Sequence, residues 1–145
     1  MIKIILVPVD GSERSSAVLD TALIIARRFD AHIKVVHVRE KSSEPFLFSG
    51  MPESMREQVL KINNEQLDAV TGAVRDQFNG FCKQNKVKVT KKPSGVKQVS
   101  ASLHLLEGNA GDVLDRESRL VDVIAMSRPS NRLAAGLPRA TMTLG

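Results

Sequence analysis

Cysteine is almost absent from this 145-residue chain: Cys82 stands alone. That excludes a disulfide framework and a CxxC metal or redox motif, and makes a reducing, cytoplasmic setting the expectation. No apolar run approaches the roughly 20 residues that span a bilayer. The N-terminus passes from Met1 straight into the apolar run Ile4 to Val9, without the basic region and small-residue cleavage site of a secretory leader. There is no GxxxxGK(S/T) phosphate loop, no GxGxxG after the first predicted strand and no GxSxG nucleophile elbow. Histidines are scarce and scattered. His32 and His37 lie five apart on one predicted strand and so face opposite ways, which rules out a simple metal pair. With His104, they read as core or rim residues. Cys82 falls among the apolar positions of a predicted helix and reads as a small core residue, not a nucleophile.

Hydrophobic residues make up 42% and charged residues 26%, the balance of an ordinary soluble globular protein. The length suits a single domain over residues 1–145 with one core. The formal net charge is +5 and the pI about 9.7, but the excess is local. Lys86, Lys88, Lys91, Lys92 and Lys97 crowd one segment that holds no acid and no aromatic. A charge run of this kind reads as a solvated loop. The alternative is an electrostatic contact for an anionic partner; single-strand binders add aromatic stacking platforms, so nucleic acid is not the expected partner.

Ile2 to Val9 is β-branched and nearly all apolar, the pattern of a strand buried on both faces of a parallel sheet. Asp10-Gly11-Ser12-Glu13 follows as a turn with helix-start chemistry: Asp10 or Ser12 can accept from a free backbone N–H, and Asp10 and Glu13 stand at capping-box spacing. Val18, Ala22, Ile25 and Phe29 predict an amphipathic helix over 14–29. His32 to Val38 is a second strand, and 39–51 a loop in which Phe46 and Phe48 could fold back as a flap. A long helix is predicted from Pro52 to about Asn85, with Leu67, Val70, Val74, Phe78 and Phe81 at helical period and Gly72 and Gly80 as sites of a kink. Val87 and Val89 alternate with lysine, as in a short edge strand. Val99, Ala101, Leu103 and Leu105 share one face of the next strand. Gly108 to Gly111 turns into a short helix with Val113, Leu114 and Leu120 apolar, and Val121 to Met126 is another buried-strand run. A turn cluster, Ser127 to Asn131, leads into a weakly helical tail.

The resulting β-α-β-α-β-α-β rhythm predicts a doubly wound parallel α/β sheet covered by helices on both faces. Ligands of such sheets sit beyond the C-terminal strand ends, where strand order reverses. Asp10, Val38 and Ser127 fall there. Asp10 reads equally as a ligand for a ribose or base and as a helix N-cap.

Ile4-Ile5-Leu6-Val7-Pro8-Val9-Asp10-Gly11-Ser12 resembles the opening signature of the universal stress protein family. The strand ending Val35-Val36-His37-Val38 and the block Gly108-Asn109-Ala110-Gly111-Asp112-Val113-Leu114, leading to Asp122-Val123-Ile124-Ala125-Met126-Ser127, are similar to later parts of its pattern. The resemblance implies a five-stranded sheet in the order 3-2-1-4-5, dimerisation through the last strand, and ATP or AMP with Mg as ligand. It places Pro8, Val9 and Asp10 along adenine and ribose, Val38 beside the base, and Met126 closing the site, with Ser127 and Arg128 entering the phosphate region. The sequence departs from the family's G-x2-G-x9-G-(S/T) phosphate loop. Ser127-Arg128-Pro129-Ser130-Asn131-Arg132 lacks the glycines that let backbone N–H groups reach phosphate, leaving Arg128 and Arg132 as candidate charges. The usual final strand is also missing, which suggests the N-terminal part of a larger, tandem protein. The expected function is a non-catalytic stress-response binding module acting through a small ligand or a partner chain. The alternatives are a nucleotide binder with slow ATP hydrolysis and a structural dimerisation half-domain; a homodimer or tandem-domain partner fits all three.

Overall fold

The computed structural model describes residues 2–39, 50–93 and 98–126. Its elements run β1 (Ile4–Pro8), α1 (Glu13–Phe29), β2 (His32–Arg39), α2 (Glu53–Asn85), β3 (Lys88–Val89), β4 (Ser100–Glu107), α3 (Ala110–Ser118) and β5 (Val123–Ile124). The five strands form one parallel sheet in the order β3-β4-β2-β1-β5. The expected α/β class and the sequence of its four main strands hold. The edge strand foreshadowed by Val87 and Val89 is β3, on the far side of β4. The segment where the family's last strand would be sought, and the flap residues Phe46 and Phe48, lie outside the described residues.

Register explains which side chains make the core. Ile5, Val7, Ile33, Val35 and Ala101 alternate onto one face and pack with Val18, Leu19, Ala22, Leu23 and Ala26 of α1 and Val74, Phe78, Phe81 and Cys82 of α2. The other face, bearing Leu6, Val36 and Lys34, meets α3, whose Glu117 pairs with Lys34. Burial pushes the Cys82 thiol up to about 11. The thiolate is therefore scarce at neutral pH, as a core cysteine requires.

Several apolar positions end elsewhere than their spacing predicts. Phe29 is exposed because it sits in the last turn of α1, past the helix's contact with the sheet. Leu120 lies beyond the end of α3 and is also exposed. α2 is 33 residues long, about 50 Å, and its buried side chains begin only at Val74. Val70 and, further toward the N-terminus, Met55, Val59 and Ile62 remain exposed. Neither Gly72 nor Gly80 interrupts the helix, which runs unbroken from Glu53 to Asn85 behind Pro52.

β5 is shorter than the apolar run Val121 to Met126 predicts. Among the described residues it pairs with β1 alone, so Ile124 is partly exposed, while Ala125 donates its N–H to the Leu6 carbonyl and is buried. Asp122 anchors its start. The carboxylate accepts from the backbone N–H groups of Lys3 (2.8 Å) and Ile4 (3.0 Å), which hold its pKa below the ordinary value. Asp122→Ala is expected to lower the thermal unfolding midpoint and Asp122→Asn, which keeps an acceptor, to lower it less. Equal midpoints for Asp122→Ala and the wild type would remove this role.

Candidate functional site

β1 pairs with β2 on one side and β5 on the other, so the chain reverses its direction of winding there. The C-terminal ends of β1 and β5 therefore open the crevice where doubly wound sheets place ligands. The register Pro8↔Val36, continued two residues, sets Asp10 level with Val38; Leu6↔Ile124, continued likewise, sets Met126 beside Pro8. Pro8, Asp10, Val38 and Met126 thus gather at one end of the sheet. Pro8 and Val38 are half-buried, and Asp10 and Met126 are exposed. Val9 differs from these. Its side chain lies in the core, its N–H donates to the Val36 carbonyl, and its own carbonyl accepts from His37 Nδ1 at 2.9 Å. Ser127 and Arg128 lie outside the described residues.

The turn between β1 and α1 is fixed by hydrogen bonds that converge on Asp10. Its Oδ1 accepts from the Ser12 N–H (2.9 Å) and the Ser15 hydroxyl (2.7 Å), while its own N–H donates to Ser15 Oγ (2.9 Å). The helix N-cap is Ser12, whose Oγ accepts from the Ser15 N–H. This corrects the capping box read between Asp10 and Glu13: Asp10 sits two residues before the cap and braces the turn instead. One carboxylate oxygen is committed to structure. Partial burial opposes the charged form of Asp10, but the Ser12 and Ser15 hydrogen bonds and the nearby charge of Arg14 outweigh it, and the carboxyl stays below the ordinary aspartate range. Asp10 is thus an ionised acceptor held in one orientation.

α2 supports this turn from behind. Gln77 donates from Nε2 to the Ser12 carbonyl at 2.8 Å, and Gly11, at φ +83°, approaches the backbone and Cβ of Ala73. Across the crevice, the Gly108 N–H donates to the Arg39 carbonyl, and Asn109 caps α3 by accepting from the Asp112 N–H. Sequence reasoning missed Ser15 and Gln77, while His37 is the satisfied core histidine it was read as. Ser15 had a legible signal, as a small hydroxyl one turn after a Ser cap. Gln77 had none, because it acts through a contact distant in sequence.

The described lysines of the basic segment are elsewhere. Lys88 is in register with Ser100 at the N-terminal end of β4, so this lysine lies at the end of the sheet opposite the crevice. Among the described residues, no cluster of three or more metal-ligating side chains occurs, and no helix is long and apolar enough to cross a membrane.

A family model described as the universal stress protein family matches residues 1–137. No curated protein sequence matches significantly. Solved structures similar to the chain include a universal stress protein family member from Burkholderia pseudomallei, at 21% identity and TM-score 0.54, covering 88% of this chain and 82% of that one. UspA from Lactobacillus plantarum is similar at 17% identity and TM-score 0.58, covering 97% and 83%. A universal stress protein in complex with cAMP is similar at 17% and 0.54, covering 94% and 84%. At these identities the likeness is one of fold.

Proposed function

The chain belongs to the universal stress protein family, and from that premise we propose that it is a non-catalytic binding module for an adenine nucleotide, held in the crevice between β1 and β5. The observation that carries the reading is Asp10. At the switch point of the sheet it presents an ionised carboxylate whose Oδ1 is locked by Ser12 and Ser15, leaving Oδ2 to accept from a ribose hydroxyl or a base amine. Pro8, Val38 and Met126 supply an apolar rim for the base. The similar structure in complex with cAMP supports the ligand class. Val9 would act only from beneath, through the strand it continues. Ser127 and Arg128 are retained as the proposed phosphate side of the site, with Mg as a counterion for a triphosphate. No hydrolysis step is proposed: Asp10 Oδ1 is committed to Ser12 and Ser15, and the lowered pKa makes the carboxylate a weaker base than an ordinary aspartate.

Thermal unfolding with ATP, AMP and cAMP, each with and without Mg, tests this. A ligand at 100 times its dissociation constant adds about 2.7 kcal/mol of stability. Asp10→Asn, which preserves an acceptor for Ser12 and Ser15, should keep the fold and lose most of the ligand shift. The absence of a shift with every nucleotide, from a cooperatively folding sample, would overturn the reading.

A partner-chain reading has its own support in the exposed Leu120, Ile124 and Met126 beside strand β5, which among the described residues is paired on one side. A second copy pairing along β5 would cover them. Sedimentation across a concentration series tests it: a species that stays monomeric throughout ends it.

A further inference from the structure

Among the described residues, Met126 is the one thioether at the mouth of the crevice, and the alternation of its strand fixes the face it occupies. Val123 and Ala125 pack with the core on the α1–α2 side of the sheet, as do Val7 and Val9 of the neighbouring chain segment. Pro8, Ile124 and Met126 therefore turn to the other face. The Ala125 N–H donates to the Leu6 carbonyl, so the pleat continues past Ile124. By register, Val36, Pro8 and Met126 form a row across three adjacent strands, each about 4.8 Å from the next. Val38 stands one step further along β2 on the same face. Met126 thus flanks Pro8 in the apolar rim, and at 37% exposed it is still reached by solvent.

A thioether in that position has two properties that oppose each other. Its polarizable sulfur packs well against an aromatic ring, such as that of a base. It is also the group that a peroxide attacks. A sulfur lone pair takes one peroxide oxygen, the O–O bond breaks, water leaves after a proton shift, and an S–O bond remains. The product is a polar, chiral side chain. Set in a rim with Pro8 and Val38, its S–O dipole must give up water before a base can seat, which costs free energy. The other described sulfurs do not combine access with position. Met55 is 54% exposed but stands on the half of α2 that carries no buried side chain. Met51 lies just ahead of that helix. Cys82 is buried in the core and its thiol is pushed up to about 11, which leaves little thiolate to react.

We propose that Met126 is a peroxide-sensitive modification site, whose oxidation to the sulfoxide weakens nucleotide binding in the crevice and which bound nucleotide shields in return. The inference rests on the nucleotide reading of that crevice. Both effects come from one contact: a base over the sulfur keeps peroxide out, and an oxidised sulfur keeps the base from seating. The expected loss of affinity is roughly 2- to 12-fold, the worth of a sulfur–aromatic contact. The change is reversible. Two thiols on a sulfoxide reductase remove the oxygen as water and are left as a disulfide. The partner-chain reading makes a different demand on the same residue. A second copy along β5 would cover Met126 too, and its shielding would then follow protein concentration and not nucleotide.

The test is an equilibrium titration with ATP, AMP and cAMP before and after graded hydrogen peroxide, with peptide mass spectrometry to locate each added oxygen. Affinity should fall in step with sulfoxide at Met126 and not at Met55, and return on treatment with a methionine sulfoxide reductase and a dithiol. Saturating nucleotide should slow oxidation of Met126 and leave that of Met55 unchanged. Met126→Leu has no sulfur at the rim, so whatever affinity it starts with should survive peroxide. An absence of binding before any peroxide would overturn the nucleotide reading and this inference with it. Undiminished binding after complete oxidation at Met126 would overturn the inference alone. So would a Met126 oxidation rate that ignores nucleotide, or one that slows with protein concentration instead. If Met126→Leu fails to fold or to bind, the wild-type titration and oxidation rates decide.

Discussion

Phe78→Ala is expected to cost about 3–5 kcal/mol of unfolding free energy, the range for deleting a buried aromatic side chain. The site is closed on every side: Phe78 is 3% exposed and lies in the cluster that joins α2 to α1 and the sheet. α2 holds to the protein through few buried side chains, Val74, Phe78, Phe81 and Cys82, so no neighbouring turn can take over the lost contact. The loss also reaches the crevice, because Gln77 and Ala73 brace the Ser12 and Gly11 turn from the same stretch of helix. Equilibrium urea unfolding measures it, with Val70→Ala as the control. Val70 fits the same helical period but is exposed, and its substitution should stay within about 0.5 kcal/mol. Equal effects at 70 and 78 would mean that the helix is seated differently.

Gly11→Val should be nearly as damaging, through two separable terms. Gly11 has φ +83°, where a β-branched residue is strained by about 1–3 kcal/mol. A Cβ built there would also stand 3.3 Å from the Ala73 Cβ and 3.5 Å from the Val74 backbone nitrogen. α2 would have to move, at a cost on the order of 1–3 kcal/mol for overpacking. The double variant Gly11→Val/Ala73→Gly should recover the steric part and leave the backbone part, apart from the helix penalty of the new glycine, which the single Ala73→Gly variant measures. Either change displaces Ser12 from the Gln77 amide, so the nucleotide shift of the thermal assay should shrink in the single variant. A Gly11→Val protein as stable as the wild type would show that the turn relaxes freely and is not held by α2.

Most of the architecture was legible because it rests on alternation and punctuation. The unbroken apolar run at Ile4 to Val9 marks a strand buried on both faces, and β1 is buried at Ile5, Leu6 and Val7. Val99, Ala101, Leu103 and Leu105 were read as one face of a strand, and they do face the core. The opposite face of that strand was harder. Ser100, Ser102 and His104 look like a solvent face in a period-two reading. Ser100 and Ser102 are buried because His32, distant in sequence, supplies partners that no local pattern announces. The same limit applies to the site. Asp10 and Val38 could be placed at one end of the sheet by strand order, and Pro8 and Met126 by the resemblance to the family. The commitment of Asp10 Oδ1 to Ser15 depends on how the turn closes. For Val70, helical period was a poor guide to burial, because a helix longer than the sheet beneath it keeps its period where there is nothing to pack against.

The placement of β1 sets a timetable for the growing chain. Its pairing with β2 needs only the local β-α-β unit. Its other edge is closed by Asp122 and β5, and the Lys3 to Asp122 contact spans 119 residues. Closing a loop of that length costs on the order of 4 kcal/mol in chain entropy. At ribosomal speeds of about 5–20 residues per second, one edge of the most apolar strand waits roughly 6 to 24 s for its partner. An unpaired hydrophobic edge is a template for association with other chains. Newly made protein should therefore depend on chaperones during synthesis far more than the finished fold does, and shortening that wait by circular permutation should reduce the dependence.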